Sequence, residues 1–287
     1  MPFKQLVVVA NAFLIMLSGA LSAASAADRE NLLNIQNGAV LLTYSSQYDN
    51  HYSAFAAFDD DPKSTWCSMR LAAKNQSFVL ELPHTYRLDK IKVDNSSTQE
   101  SSYPGISAKV IELWGSTTSE QSGFTKLASI QAAKHAVSAA TIGSNAQARW
   151  LKIVLVSNWG NHDYTEVSDI FLSGTPLGKK PAQLNFTGSF VTNWGCLKFN
   201  QVGSNVSGCY PYADGKFTGT VDGNVVRFDW SQPGGNSGTA TMSVNHDGSF
   251  IDGFYRQRGT DSLVRWYGKR YDHDCNCIPA AAGKISD

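Results

Sequence analysis

The chain has 287 residues, with 24 Lys plus Arg against 24 Asp plus Glu and a formal net charge of zero. That balance excludes a general electrostatic grip on nucleic acid, which needs a basic footprint. Gly, Ser, Thr, Asn and aromatic residues are abundant and long helical patterns are absent, so the composition predicts an all-β fold with many tight turns.

The first element is an export signal. Lys4 gives the N-terminus a positive charge, an apolar run extends from Leu6 to Leu21, and Ser22-Ala23-Ala24-Ser25-Ala26-Ala27 follows. Ala24 and Ala26 form an Ala-x-Ala cleavage pattern, so residues 1–26 read as a signal peptide removed near Ala26. The run falls short of the roughly 20 apolar residues that span a bilayer, and no later segment is more apolar. The mature protein is therefore expected to be secreted or periplasmic, without a membrane span. It keeps five cysteines, Cys67, Cys196, Cys209, Cys275 and Cys277, in a compartment that permits disulfides. Cys196 and Cys209 lie on adjacent strand candidates and form the natural pair. Cys67 is expected to join the Cys275-Asn276-Cys277 tail or to stay free, because the count is odd.

Residues 27–174 carry strand candidates separated by long irregular loops: Phe78–Leu82, Leu88–Val93, Ala108–Trp114, Trp150–Val156 and Val167–Leu172. Most alternate apolar and polar residues, as strands with one buried face do, and two such sheets make a β-sandwich. Several pieces then follow in a telling order. They are Asn31-Leu32-Leu33-Asn34, Tyr44-Ser45-Ser46-Gln47-Tyr48, Ala57-Phe58-Asp59-Asp60-Asp61-Pro62-Lys63-Ser64-Thr65-Trp66, Gln76–Leu82, Arg149–Ile153 and Val167–Gly174. Together they resemble the discoidin, or coagulation-factor type C, family of galactose-binding-like jelly rolls. The turn departs from that pattern twice, with Asp60 at a usual Gly and Ser64 at a usual Thr.

The resemblance implies a module that binds ligands through loops at one end of the sandwich. It also implies a structural Ca2+ held by the carbonyl of Phe58, Asp61, Ser64 and Asp169, with the Thr65 carbonyl as a further donor; hard cations of this kind take oxygen ligands. Asp169 stands where the family has Glu, one methylene shorter. An acidic turn without metal is the alternative. Asp59 reads as a brace for the turn.

Sugar recognition combines an aromatic face for the ring's C–H groups with polar groups for its hydroxyls. Such residues cluster in four loops: Tyr48–Tyr52, Ser68–Arg70, Ser101–Pro104 and Asn158–Tyr164. His51, Arg70, Tyr103, Trp159, His162 and Tyr164 are the candidate ligand contacts, with His51, Arg70 and Trp159 foremost. The loop tips read as polar, which favours a carbohydrate over the protein or phospholipid that an adhesin of this family would take.

Residues 175–183 read as a linker rich in Pro, Gly and Lys. In residues 184–271 eight strand candidates follow at intervals of about ten residues: Phe186–Val191, Cys196–Gln201, Val206–Tyr210, Lys216–Val221, Val225–Trp230, Thr239–Val244, Phe250–Tyr255 and Leu263–Tyr267. Asp214-Gly215, Asp222-Gly223 and Asp247-Gly248 supply hairpin turns. An up-and-down antiparallel barrel would remove the exposed edges; an open curved sheet is the alternative. The segment bears a faint architectural resemblance to avidin-like and lipocalin-like barrels. Trp194, Trp230, Tyr255, Trp266 and Tyr267 read as barrel filling in preference to a ligand cup, because small barrels fill their interiors. Residues 272–287 form a tail.

No Gly-x-Ser-x-Gly, His-Glu-x-x-His, phosphate loop or placed carboxylate pair is found. The sequence thus predicts an exported, non-catalytic protein that binds carbohydrate or, as the alternative, a cell-surface protein or lipid. A hydrolase site hidden in the second segment is the remaining reading.

Overall fold

The computed structural model describes residues 31–178 and 182–278; the signal peptide expected at residues 1–26 lies outside the described residues. The described residues are all-β, seventeen strands with short 3-10 turns at Ile35–Asn37, Ala54–Ala57 and Tyr212–Asp214.

The N-terminal domain is built from β1 (Val40–Tyr44), β2 (Trp66–Cys67), β3 (Gln76–Asp94), β4 (Ala108–Ser116), β5 (Thr125–Gln131), β6 (Val137–Thr141), β7 (Gln147–Asn158), β8 (Glu166–Val167) and β9 (Asp169–Pro176). The two strands expected at 78–82 and 88–93 are one 19-residue strand, β3. Its first half lies between β1 and β7, and its second half between β6 and β9. Irregular register between Glu81 and Tyr86 marks the switch. A strand that changes sheets at a bend is how a sandwich turns its corner. One layer therefore runs β1-β3-β7-β4-β5, and β6 and β9 flank the other half of β3. The short pair β2–β8 stands apart. Between the layers lies a core that includes Trp66, Phe58, Phe78, Leu80, Ile111, Leu151, Ile153 and Leu172, all essentially buried. Alternation put these residues on one face of each strand.

The C-terminal domain is a closed eight-stranded barrel: β10 (Gly188–Thr192), β11 (Gly195–Val202), β12 (Asn205–Tyr210), β13 (Gly215–Asp222), β14 (Val225–Ser231), β15 (Ser237–Val244), β16 (Phe250–Gln257) and β17 (Val264–Tyr271). Each strand pairs antiparallel with the next, and β10 closes on β17. Phe186, Phe190, Phe199, Phe217 and Phe228 cluster in its interior, with Phe199 touching the other four. Gly208 makes room for them: a Cβ there would lie 2.0 Å from the Phe217 ring.

The two domains are joined by more than the linker. The Asn224 amide and Arg227 guanidinium donate to the Gly38 and Gln36 carbonyls, and the Ser243 hydroxyl donates to that of Ile35. Phe254 and Leu263 of the barrel share a small apolar cluster with Ile35 and Phe55. Asp252 and Arg265, paired at 2.9 Å, hold the main chain of Leu41.

The cysteine pairing differs from the expected one. Cys196 joins Cys275 and Cys209 joins Cys277, while Cys67 is free and buried. Cys209 sits opposite Lys198, two residues beyond Cys196, so the two cysteines are out of register for each other. Leu197, Phe199, Val206 and Tyr210 fill the barrel, which leaves Cys196, Lys198 and Cys209 on its outer wall. The tail crosses that wall and is clasped by both, with Lys198 paired to Asp274 at 2.7 Å. In the chain-entropy view each bond is worth about 4 kcal/mol for loops of this length. Peptide mapping of the oxidised protein is expected to yield 196–275 and 209–277 linkages and one free thiol at Cys67. A 196–209 linkage would contradict this arrangement.

Candidate functional site

Four tyrosines gather at one end of the sandwich. Tyr48 meets Tyr52 and Tyr164 edge-on at ring separations of 5.9 and 5.7 Å, and Tyr103 meets Tyr164 at 6.2 Å. With Gln99, Ile106 and Cys67 they line a cavity of about 200 Å³. His51 stacks edge-on against Tyr52. Arg70 lies close enough to Tyr164 to act electrostatically on its phenol, although burial and the neighbouring Tyr48 still raise that phenol's pKa. Burial, helped by Glu166 and Asp49, pushes the Cys67 thiol up to about 12, so at the back of this cavity it behaves as an inert apolar group.

The polar floor is set by a buried carboxylate. Glu166 on β8 accepts from the Gln99 main-chain amide at 2.6 Å, from the Gln99 side chain and from the Thr65 hydroxyl. Burial raises its pKa in spite of these bonds. The Gln99 amide also donates to the Tyr52 hydroxyl at 2.9 Å. Glu166 therefore fixes Gln99, and Gln99 fixes Tyr52, before any ligand arrives.

The loops around the cavity brace one another. Asn158 donates to the carbonyls of Asn161 and Tyr164, and Asn161 accepts from the amides of Asp163 and Tyr164. The Leu71 amide donates to the Asp163 carbonyl. Gly105, at φ +84°, brings its backbone against this loop; a Cβ there would lie 2.7 Å from the Asn161 nitrogen.

Of the residues singled out in the sequence, Tyr103 and Tyr164 line the cavity, with His51 and Arg70 beside them. His162 points to solvent and contacts only Asp163, at 3.3 Å. Trp159 lies elsewhere. Its indole donates to the Ala132 carbonyl, and Lys109 and Lys134 sit over its ring at 4.4 and 5.7 Å. Lys134 is itself paired with Glu100. The ring face that a sugar would use is thus turned toward lysines. Tyr48, Tyr52 and Gln99 take the central positions instead; the first two stood in a loop already marked as aromatic. The loop tip between them and Arg70 is not polar as expected: Met69 is 56% and Leu71 67% exposed, with Leu71 held at φ +66°.

The acidic turn has its own logic. Asp60, where the resemblance has Gly, adopts φ +58°. Asp tolerates that region better than most residues, and here both its oxygens accept side-chain amides, from Asn31 at 2.7 Å and Asn34 at 2.6 Å. Asp59 accepts from the Asp61 amide and the Ser64 hydroxyl, bracing the turn. Asp61 accepts from the Lys63 amide on the exposed side. Asp169 accepts from its neighbour's amide, Ile170. Burial, and then the charges of Asp60 and Asp59, push Asp169 up to about 9; burial likewise lifts Asp59 to about 7. No Lys or Arg among the described residues forms an ion pair with Asp59, Asp60, Asp61 or Asp169. A hard divalent cation fits that charge and that oxygen-only donor set. Among the described residues no three acidic, His or Cys side chains converge as metal ligands, so main-chain carbonyls would have to complete the shell.

These features describe a β-sandwich with a tyrosine-lined cavity at one end. Residues 42–170 match the family model of the F5/8 type C domain. The chain is also similar to several solved structures. One is a putative chitobiase fragment from Bacteroides thetaiotaomicron, at 12% identity, covering 54% of this chain and 98% of that one, TM-score 0.46. Another is the family 32 CBM of Clostridium perfringens NanJ in complex with galactose, at 15% identity, 48% and 95% coverage and TM-score 0.40. A third is a chitosan-binding module of a Paenibacillus chitosanase/glucanase, at 16% identity, 51% and 100% coverage and TM-score 0.40. No curated protein matches the chain. No helix among the described residues is long and apolar enough to cross a membrane.

Proposed function

We propose that this is an exported, non-catalytic protein whose F5/8 type C domain binds carbohydrate at the tyrosine cavity. The observation that carries this reading is the set of four tyrosine rings around a polar floor. Tyr103 and Tyr164 offer faces for a sugar ring, while Gln99, Arg70 and His51 offer hydrogen bonds to its hydroxyls. Aromatic faces supply apolar contact and phenols supply polar handles. The cavity is small, so the recognised unit is one ring at the end of a glycan. Two disulfides suit an oxidising compartment, in line with cleavage near Ala26.

The exposed Met69 and Leu71 favour a second reading, in which the same loop end inserts apolar tips into a lipid surface or a protein partner. We also propose that the Asp59–Ser64 turn and Asp169 hold a Ca2+ ion, with Ser64 and the carbonyl of Phe58 among the donors. Its chemistry is charge neutralisation of a buried acidic cluster, which stabilises the loops and takes no part in binding chemistry.

A glycan array probed with the mature protein is expected to show binding, and Tyr164→Ala or Tyr103→Ala to weaken it by about tenfold, the loss of roughly 1.4 kcal/mol of ring contact. Trp159→Ala is expected to leave it unchanged. Glycan-independent binding to anionic vesicles, lost in Leu71→Ser, would replace the carbohydrate reading with the lipid one. Chelation is expected to lower the melting temperature and added calcium to restore it; an indifferent melting curve removes the ion. The exported protein's N-terminal residue is expected to fall at about 27, and an intact Met1 in the exported form would refute the cleavage.

A further inference from the structure

The barrel is filled at one end and hollow at the other. Its phenylalanine cluster occupies the interior, yet at the end formed by the turns around residues 193–194, 211–214, 232–236 and 258–263 the filling stops. There Trp194, Tyr210, Tyr212, Trp230, Tyr255 and Trp266 surround a cavity of about 240 Å³, with Gln232, Asn236 and Gln257 completing the wall. The turns that hydrogen-bond the sandwich, at Asn224 and His246, are at the barrel's other end, and of the mouth turns Leu263 packs with Ile35 and Phe55. The aromatic residues read from the sequence as filling are thus in part the lining of a cup.

From this geometry we infer that the barrel mouth is a second binding site, for one neutral sugar ring of a saccharide. The lining carries no charged side chain, which disfavours ionic ligands. All three indole N–H groups are used inside the protein: Trp194 donates to the Arg265 carbonyl, Trp230 to that of Thr239 and Trp266 to the Thr192 hydroxyl. The rings are therefore locked in place, and what they offer is their faces. Tyr255 stands at the centre, edge-on to Trp194, Trp230 and Trp266 at 5.8, 6.0 and 5.8 Å. At the rim, Trp194 is 52% and Tyr212 72% exposed, so large apolar faces meet water where a core would have hidden them.

The polar groups sit where a ring's hydroxyls would reach them. Gln232 is oriented by its bond to the Tyr210 hydroxyl at 3.3 Å, and among the described residues the side-chain amides of Asn236 and Gln257 have no hydrogen-bond partner. Burial raises the phenols of Tyr210 and Tyr255 above their ordinary range, so both remain protonated donors at neutral pH. A cavity of this size lies just below the roughly 300–1,000 Å³ of most small-molecule sites. It admits one ring and, being open, lets the rest of a chain leave into solvent. A purely apolar ligand would leave the amides of Asn236 and Gln257 desolvated and unpaired, which costs free energy.

The test is tryptophan fluorescence of the full mature protein titrated with galactose, glucose, mannose, N-acetylglucosamine and their short oligomers. Saturable change with at least one of them is expected. Trp194→Ala, on an exposed hairpin, and Gln257→Leu are each expected to weaken it about tenfold, or 1.4 kcal/mol, with an unchanged melting temperature. Tyr164→Ala, at the sandwich cavity, is expected to leave this signal intact, which separates this site's failure from the other's. No response to any saccharide, a response lost only with Tyr164→Ala, or saturable uptake of an apolar dye that sugars do not displace would each overturn the inference.

Discussion

The architecture depends on one buried ion pair and the backbone it holds. Asp252 and Arg265 face each other across neighbouring barrel strands, and both are nearly or wholly buried. A buried pair of this kind gains little against well-packed apolar residues unless its remaining hydrogen-bonding capacity is used. Here it is used on the first strand of the other domain: the Leu41 amide donates to Asp252 at 3.0 Å, and Arg265 donates to the Leu41 carbonyl. Two side chains thus stand in for a neighbouring strand along the open side of β1, whose other side pairs with β3. An exposed sheet edge invites foreign pairing, and the barrel covers this one. A second buried carboxylate repeats the theme. Glu81 on β3 accepts from the His246 amide and faces its ring nitrogen at 3.0 Å, while also binding Arg149. Between the domains these groups exchange the Leu41 main-chain bonds and the His246 bonds to Glu81, while Asp252–Arg265 and Glu81–Arg149 are paired within their own domains. The chain therefore holds its two domains as one body despite a linker of flexible composition.

Much of this could be read from residue alternation, because a strand with one wet face writes its period into the sequence. All eight barrel strands were legible, and the regular hairpin turns implied their order. β5 and β6 were not: Thr125–Gln131 and Val137–Thr141 are small, polar and largely exposed, so they carry no apolar rhythm. β3 was divided in two because Pro83 and His84 look like a break; the chain bends there but keeps its ladders by changing partners. The disulfides failed for a different reason. Adjacent strands suggest a pair, but register decides which residues face each other, and a two-residue offset sent both cysteines to the tail.

The site was legible as a set of loops and not as a set of contacts. Sequence shows where aromatic and amide residues gather; it does not show which ring face is free. Trp159 has the richest neighbourhood in its loop, yet Lys109 of β4 and Lys134 of the loop between β5 and β6 turn to its ring. Tyr48 instead meets Tyr164, and Tyr52 meets Tyr48 while its hydroxyl accepts from Gln99, which Glu166 fixes. Burial was equally hidden in Glu166, which sits in a short strand with no motif. In the barrel the same ambiguity ran the other way. Alternation placed Trp230 and Trp266 inside, correctly, whereas Trp194 lies exposed in a rim turn and Tyr267 faces outward against Arg265 and Phe250; an inward-facing side chain fills space only if others meet it from across the barrel, and at the mouth they do not.

The tyrosine cavity and the barrel mouth share a physical link. Phe55 lies three residues after Tyr52, Phe254 lies next to Tyr255, and the two phenylalanines pack together at 5.6 Å. The small apolar cluster between the domains is thus anchored on one side to a wall of the first cavity and on the other to the centre of the second. Two weak sites on independent domains would search separately. Two sites held by a shared core keep a fixed spacing, so a surface that presents many copies of a ring can engage both without renewed ordering cost. The gain comes from effective concentration and needs no added contact, and it vanishes where the spacing does not match the surface. The two proposed sites would then combine shallow, single-ring contacts, with the spacing between them set by Asp252, Arg265 and the phenylalanine pair.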